Sequence, residues 1–256
     1  MMRLASLLRL GVLLMVAVTA AAQEAPLLTV LPRQEQVRQL ELRADLHMIR
    51  KHYLEAIDFY QEALRWAPRN SVLLNKTGIA FQQLSELKDA KKYYKRATKA
   101  DKSYAAAWNN LGTVYYAQKN YKKAIRYYRR ALKRSPVQGD IHLNLGTALF
   151  ARKKYDQAVE EFRLALLLDP EVFRRRGLFG TLIQSRSVQD RARYYFMVAK
   201  SLASLGYVDR CVAYLRRALE DGFPSIEAQG DPAFVLVRED KRFQALFAEK
   251  PPGIEP

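Results

Sequence analysis

The sequence predicts an all-α solenoid of stacked helix pairs, closed at its C-terminal end by a helical cap. Three observations carry that prediction. Small residues recur with a period of 34: Ala56, Ala90, Ala124 and Ala158 share one register position, and Ala63, Ala97, Ala131 and Ala165 share another. An aromatic residue falls between them in every copy, as Tyr60, Tyr94, Tyr128 and Phe162. Upstream, Gly78, Gly112 and Gly146 recur, with Ala44 in the earliest copy. Glycine inside a helix costs about 1 kcal/mol relative to alanine, so its repetition implies a packing site where a side chain does not fit.

Residues 1–22 come first. Arg3 and Arg9 precede an apolar run from Leu10 to Val18, followed by Thr19-Ala20-Ala21-Ala22, the order of a secretory signal cleaved after Ala22. The run after Arg9 spans 13 residues, short of the roughly 20 that cross a bilayer. No cysteine follows it, which excludes a lipoprotein anchor. The expected mature chain is periplasmic or secreted. Residues 23–36, with Pro26 and Pro32, read as a mobile lead-in.

Four copies follow, at 37–70, 71–104, 105–138 and 139–172. The third is the clearest. Trp108, Leu111 and Tyr115 lie on one face of a first helix together with Gly112. After a short turn, Ala124, Tyr128 and Ala131 mark one face of a second helix, which has to stop at Pro136. Pro68 and Pro170 stand at the same position in the first and fourth copies, and Lys102 in the second. No such pair can bury its apolar face alone, so neighbours complete the core.

Beyond Pro170 the phase shifts. A basic insertion at 173–191 contains Arg174, Arg175, Arg176, Leu178, Phe179, Leu182 and Ile183. A degenerate fifth copy at 192–225 follows, through Tyr195, Val198, Ala199 and Leu202, then Val208, Cys211, Leu215 and Ala218. Ser187 and Asp190 have the spacing of a capping box, which starts its first helix near Val188 and makes it longer than the others. Residues 226–256 form the cap and tail, and physically they should cover the last open helix face.

The Trp108-x-x-Leu111-Gly112-x-x-Tyr115 pattern, with its alanines, closing proline and 34-residue period, resembles the tetratricopeptide repeat. The closing segment, Gly222-Phe223 through Leu246, is similar to that of exported bacterial members. The resemblance implies a right-handed superhelix whose first helices line a concave groove that holds a peptide or helix of a partner protein. The groove positions it implies are Asn75, Ile79 and Gln82; Asn109, Asn110, Thr113 and Tyr116; Leu143, Asn144, Thr147 and Phe150; and Phe196, Met197 and Lys200. Asn110 and Asn144 share one register position and form a two-rung amide ladder, interrupted by Lys76; amides there can hold a peptide backbone or bond across neighbouring helices. The family's carboxylate clamp for chaperone tails is not matched, because Glu41 and Asp45 stand where its lysine and asparagine belong and Asp140 adds further negative charge. Binding of a chaperone tail is therefore not expected.

Charge marks a second surface. The chain has 43 Lys and Arg against 26 Asp and Glu, a formal net charge of +17. Between Lys88 and Arg134 stand 15 of those cations with only Asp89 and Asp101 against them. Most lie on second helices: Lys91, Lys92, Lys95, Lys122, Lys123, Arg126, Arg129 and Arg130. The resemblance places these on the convex side, where the expectation is either a solvated face or contact with an anionic membrane surface, polymer or acidic protein. Nucleic acid fits the charge, but an exported chain is kept away from it and no nucleic-acid motif is present.

Chemistry is not signalled. There is no HExxH, GxSxG or phosphate-binding glycine loop, and no Cys/His cluster with zinc spacing. His47 and His52, five apart on a helix, should point away from each other, and His142 takes a core position. Cys211, the single cysteine, reads as a small buried apolar residue. A non-enzymatic scaffold without metal or cofactor is the expectation.

Overall fold

The computed structural model describes residues 32–175 and 187–248. The leader expected at 1–22 lies outside them, as does most of the insertion expected at 173–191. Among the described residues every regular element is helical. The helices are α1 (Arg33–Ile49), α2 (Tyr53–Trp66), α3 (Ser71–Gln83), α4 (Leu87–Ala100), α5 (Ala105–Ala117), α6 (Tyr121–Leu132), α7 (Gly139–Ala151) and α8 (Tyr155–Leu168). A short α9 (Val172–Arg175), the pair α10 (Val188–Ala203) and α11 (Val208–Glu220), then α12 (Ser225–Gly230), a 3-10 turn at Pro232–Phe234 and α13 (Lys241–Ala248) complete the chain.

The helices pack as antiparallel pairs, α1 with α2, α3 with α4, α5 with α6, α7 with α8 and α10 with α11, and each second helix packs on the first helix of the next pair. First helices also touch along the solenoid, α3 with α5 and α5 with α7. This is the superhelical repeat stack that the 34-residue period predicts.

The recurrent glycines are explained by the recurrent aromatics. A Cβ on Gly78 would lie 2.6 Å from the Tyr94 ring, and one on Gly146 would lie 2.6 Å from Phe162; Gly112 faces Tyr128 in the same way. These aromatics are fully buried or nearly so, and the alanines Ala56, Ala90, Ala124 and Ala158 are wholly enclosed around them. The three pairs from α3 to α8 thus interlock ring against bare backbone, which lets two helices approach at one turn.

The turn inside each pair is also repeated. Lys51, Ser85, Lys119, Lys153 and Gly206 take the same register position, all with φ between 57° and 73°. After each, a backbone N–H returns to a carbonyl five residues back: His52 to His47, Glu86 to Phe81, Asn120 to Tyr115, Lys154 to Leu149 and Tyr207 to Leu202. That closes the first helix with a left-handed residue and satisfies its last carbonyls. Only the fifth copy uses the residue that adopts this conformation without strain.

One boundary and one helix length differ from the sequence expectation. Helix α1 begins at Arg33, inside the segment read as a mobile lead-in, because Pro32 supplies its N-terminal stop and its carbonyl accepts from Glu35 and Gln36. Helix α10 does begin at Val188, with the Ser187 hydroxyl accepting from the Asp190 N–H at 3.1 Å. At 16 residues it exceeds α3, α5 and α7 but not α1, which has 17.

The C-terminal segment closes the stack. Phe223 stacks on Phe196 at 4.0 Å, Phe234 packs on Phe196 and Phe243, and Asp231 accepts from Lys200 Nζ at 2.7 Å. Cys211 is fully enclosed in this core, and burial pushes its thiol up to about 12.

Candidate functional site

The first-helix surface is built on a polar ladder. Position five of one copy bonds to position six of the next, always 35 residues apart. Lys76 Nζ donates to Glu41 at 2.6 Å, Asn110 Nδ2 to Asn75 Oδ1 at 2.9 Å, and Asn144 Nδ2 to Asn109 Oδ1 at 2.9 Å. Asn109 Nδ2 reaches Asn110 at 3.4 Å, joining the rungs into one chain of amides. In the last interval the same two positions hold Leu143 and Met197, both buried, and the ladder ends there.

This arrangement corrects several sequence expectations. Asn75, Asn144, Thr147 and Phe150 are at most 4% exposed, so no peptide reaches them. Asn75 and Asn144 spend their amides between helices, Thr147 returns its hydroxyl to the Leu143 carbonyl, and Phe150 packs edge-on against Tyr194. Tyr116 lies against Tyr121, 5.2 Å between centroids, and Leu143, Phe196 and Met197 belong to the core. Lys200 is tied to Asp231 of the cap and lies over the Phe196 ring. Lys76 does not interrupt the ladder; it extends it. For Asn75, Asn144 and Lys76 the physical reason is shared: neighbouring first helices sit close enough to consume the polar groups between them. Ile79, Gln82, Asn109, Asn110 and Thr113 remain partly open on α3 and α5.

At the start of the groove, Lys76 also donates to Asp45 at 2.6 Å, and the Tyr60 hydroxyl donates to the same carboxylate. Burial works against the Lys76 charge, but the bonds to Asp45 and Glu41 outweigh it and hold the amine above its ordinary range. Burial first, then the Asp45 bond, keeps the Tyr60 hydroxyl protonated. The acidic pair that displaces a carboxylate clamp is therefore a built ion triad.

The histidines differ from expectation as well. His47 and His52 come within 5.8 Å, because α1 ends at Ile49 and the left-handed Lys51 folds the chain back. His142 lies between Glu161, 2.7 Å from Nδ1, and the Pro136 carbonyl, 3.0 Å from Nε2. The Glu161 bond, opposed by burial, raises its pKa.

On the second-helix side the structure gathers a basic hollow of about 790 Å³. From α6 it takes Lys122, Lys123, Arg126, Arg129 and Arg130, with Lys133 at the helix end; Arg152 and Lys154 close it from the α7–α8 turn, and Asn120 and Ile125 complete the lining. Lys91 reaches toward this side through the Tyr115 ring at 5.7 Å, while Lys92 and Lys95 lie on α4 outside the hollow. The expectation was a convex face, either solvated or in contact with an anionic partner; the structure gathers these cations around a recess. Charge runs along one helix did not reveal Arg152 and Lys154, which the turn brings in from the next copy.

The ring faces beneath the cations are ordered. Lys123 lies over Tyr115, Arg126 over Tyr127, and Arg130 over both Trp108 and Tyr127, at 5.3–5.6 Å from the centroids. Among the described residues there is no cluster of His, Cys, Asp and Glu arranged to hold a metal, and no helix is long and apolar enough to cross a membrane.

Stacked helix pairs presenting two separate solvent surfaces, one amide-rich and one cationic, define a protein–protein interaction scaffold. Models of the tetratricopeptide repeat match residues 75–138 and 115–172, and again 40–70 and 192–220, together well over half the chain. The chain belongs to the tetratricopeptide repeat family. Among solved structures it is similar to a crystal structure of MamA, 22% identical with a TM-score of 0.50, covering 70% of this chain and 93% of that one. It is also similar to MamA from Desulfovibrio magneticus RS-1, 17% identical with a TM-score of 0.52, covering 72% and 93%. At these identities the likeness concerns the fold. No match was found among curated proteins.

Proposed function

We propose that the protein holds an extended segment of a partner protein on the first-helix surface of α3 and α5, and that it does so in the cell envelope after loss of residues 1–22. One observation carries the reading. The ladder fixes the partly exposed amides of Asn109 and Asn110 in orientation on α5, which also carries the partly exposed Thr113, while Ile79 and Gln82 are partly exposed on α3. Fixed amides can both donate to and accept from a peptide backbone without ordering cost at the moment of binding. The site is shorter than the family groove, because Phe196 is buried against the cap and Lys200 is paired with Asp231 of the cap.

The test is a photo-crosslinker placed at Gln82 and, as a control, at Lys95 on the opposite side. Crosslinks to an envelope protein at Gln82, absent at Lys95 and abolished by the bulky change Thr113→Trp, support the reading. Equal labelling at both positions would sink it. Mass measurement of the protein recovered from the envelope tests removal of residues 1–22.

A further inference from the structure

We infer that the basic hollow on α6 is a docking site for an acidic amphipathic helix of a partner protein. It shares no residue with the surface of α3 and α5, so it stands whether or not that groove binds a peptide.

The first argument is register. Lys122, Arg126, Arg129 and Lys133 follow one another at i, i+4, i+7 and i+11 on α6, a stripe of about 16 Å at 1.5 Å per residue. Carboxylates at the same intervals on a second helix repeat at the same pitch, so each cation meets an anion when two helices lie side by side.

The second argument is cost. No acidic residue lies anywhere in α6, and among the described residues the cations lining the hollow have no carboxylate partner. Lys122 and Lys123 stand in the first turn, where the helix dipole disfavours positive charge, and like charges recur at i, i+4. The packing of the fold does not require this arrangement, since the buried face of α6 is made by Ala124, Tyr128 and Ala131. An external anion relieves it.

The third argument is shape and chemistry. A flat bilayer surface would meet the rim of a recess and leave its interior empty. A helix fills a recess, and this one offers Ile125 and the aliphatic stems of its long side chains to an apolar residue between the carboxylates. Lys123, Arg126 and Arg130 are held over Tyr115, Tyr127 and Trp108, which lowers the cost of ordering them. A second copy is a poor occupant, because two chains of net charge +17 repel each other.

The experiment uses the full chain and a labelled synthetic helix with glutamates at i, i+4, i+7 and i+11 and leucines on the adjoining face. Fluorescence anisotropy should show salt-sensitive binding that falls at least about tenfold with Arg126→Glu/Arg129→Glu. The charge-matched variant Lys92→Glu/Lys95→Glu on α4 should lose less than about twofold, and circular dichroism should show both variants folded, as expected for exposed positions. Equal loss in the two variants would mean a net-charge effect and overturn the site. Equal affinity for a peptide of the same composition in scrambled order would overturn the helical register. Binding of phosphatidylglycerol vesicles or of polyphosphate through Arg126 and Arg129, with the peptide left unbound, would assign the hollow to another class of ligand and overturn the proposal.

Discussion

Asn144 donates through Nδ2 to Asn109 Oδ1 at 2.9 Å, the same bond that Asn110 makes to Asn75 one copy earlier. Each crosses a boundary between helix pairs, and Asn144 is buried. Changing Asn109 to alanine leaves a buried amide without its acceptor, which costs about 1–3 kcal/mol. The double change Asn109→Leu/Asn144→Met installs the apolar pair found at Leu143 and Met197 and should cost less than Asn109→Ala alone. Urea denaturation of the three proteins checks this. A double variant as unstable as the single would show that the amide bond is not what the boundary requires.

The interlock of Gly112 and Tyr128 yields a prediction of opposite character, since it concerns space and not bonding. A Cβ at Gly112 would collide with the Tyr128 ring, whose alanine neighbours leave it nowhere to go. Gly112→Ala should destabilise by about 1–3 kcal/mol, as overpacking does, despite the better helix propensity of alanine. Adding Tyr128→Leu should recover part of the loss. Thermal melts decide it: a stability gain from Gly112→Ala would show that propensity outweighs packing there.

Such interlocks were legible in the sequence because glycine, alanine and aromatic recur at one spacing, and a period of 34 has few other physical explanations. The groove was less legible. Position in a repeat tells which helix face a residue takes, but not how closely the next first helix approaches. That distance decided whether Asn75 and Asn144 face a ligand or bond to Asn110 and Asn109 of the adjacent copy, and it turned Lys76 from an interruption into a rung. Lys200 was misread for a related reason: its partner Asp231 lies in the cap, which has no repeat to align with. The hollow was half legible, since charge density pointed to α6 while Arg152 and Lys154 enter from the following copy.

The left-handed turn residue also escaped the sequence, because four of five copies do not use glycine there. Lys119 has φ 58°. A side chain in that conformation costs about 1–2 kcal/mol, while glycine adds roughly 0.5–1 kcal/mol of unfolded-state entropy. Lys119→Gly should therefore stabilise by about 0.5–1 kcal/mol, and Gly206→Lys in the fifth copy should destabilise by a similar amount. Chemical denaturation of both variants tests the pair. A loss of stability in Lys119→Gly would mean that the lysine makes a compensating contact.

His142 makes stability depend on pH. Its two nitrogens face acceptors on both sides, the Glu161 carboxylate and the Pro136 carbonyl. Only the imidazolium donates to both; the neutral ring must present one lone pair to an oxygen. The Glu161 bond outweighs burial and raises the folded-state pKa above 6.5. The sign follows from linkage. The stabilisation is fully present below the unfolded value near 6.5 and is lost as pH rises through the higher folded value. Glu161→Gln lets an amide donate to the neutral ring, so the loss between that lower bound and the folded pKa should flatten in the variant. Urea midpoints across this pH range, compared between wild type and Glu161→Gln, isolate the His142 contribution from that of the other histidines. Parallel curves for the two proteins would show that His142 does not titrate against Glu161, and a folded-state pKa at or below 6.5 measured by NMR would say the same directly.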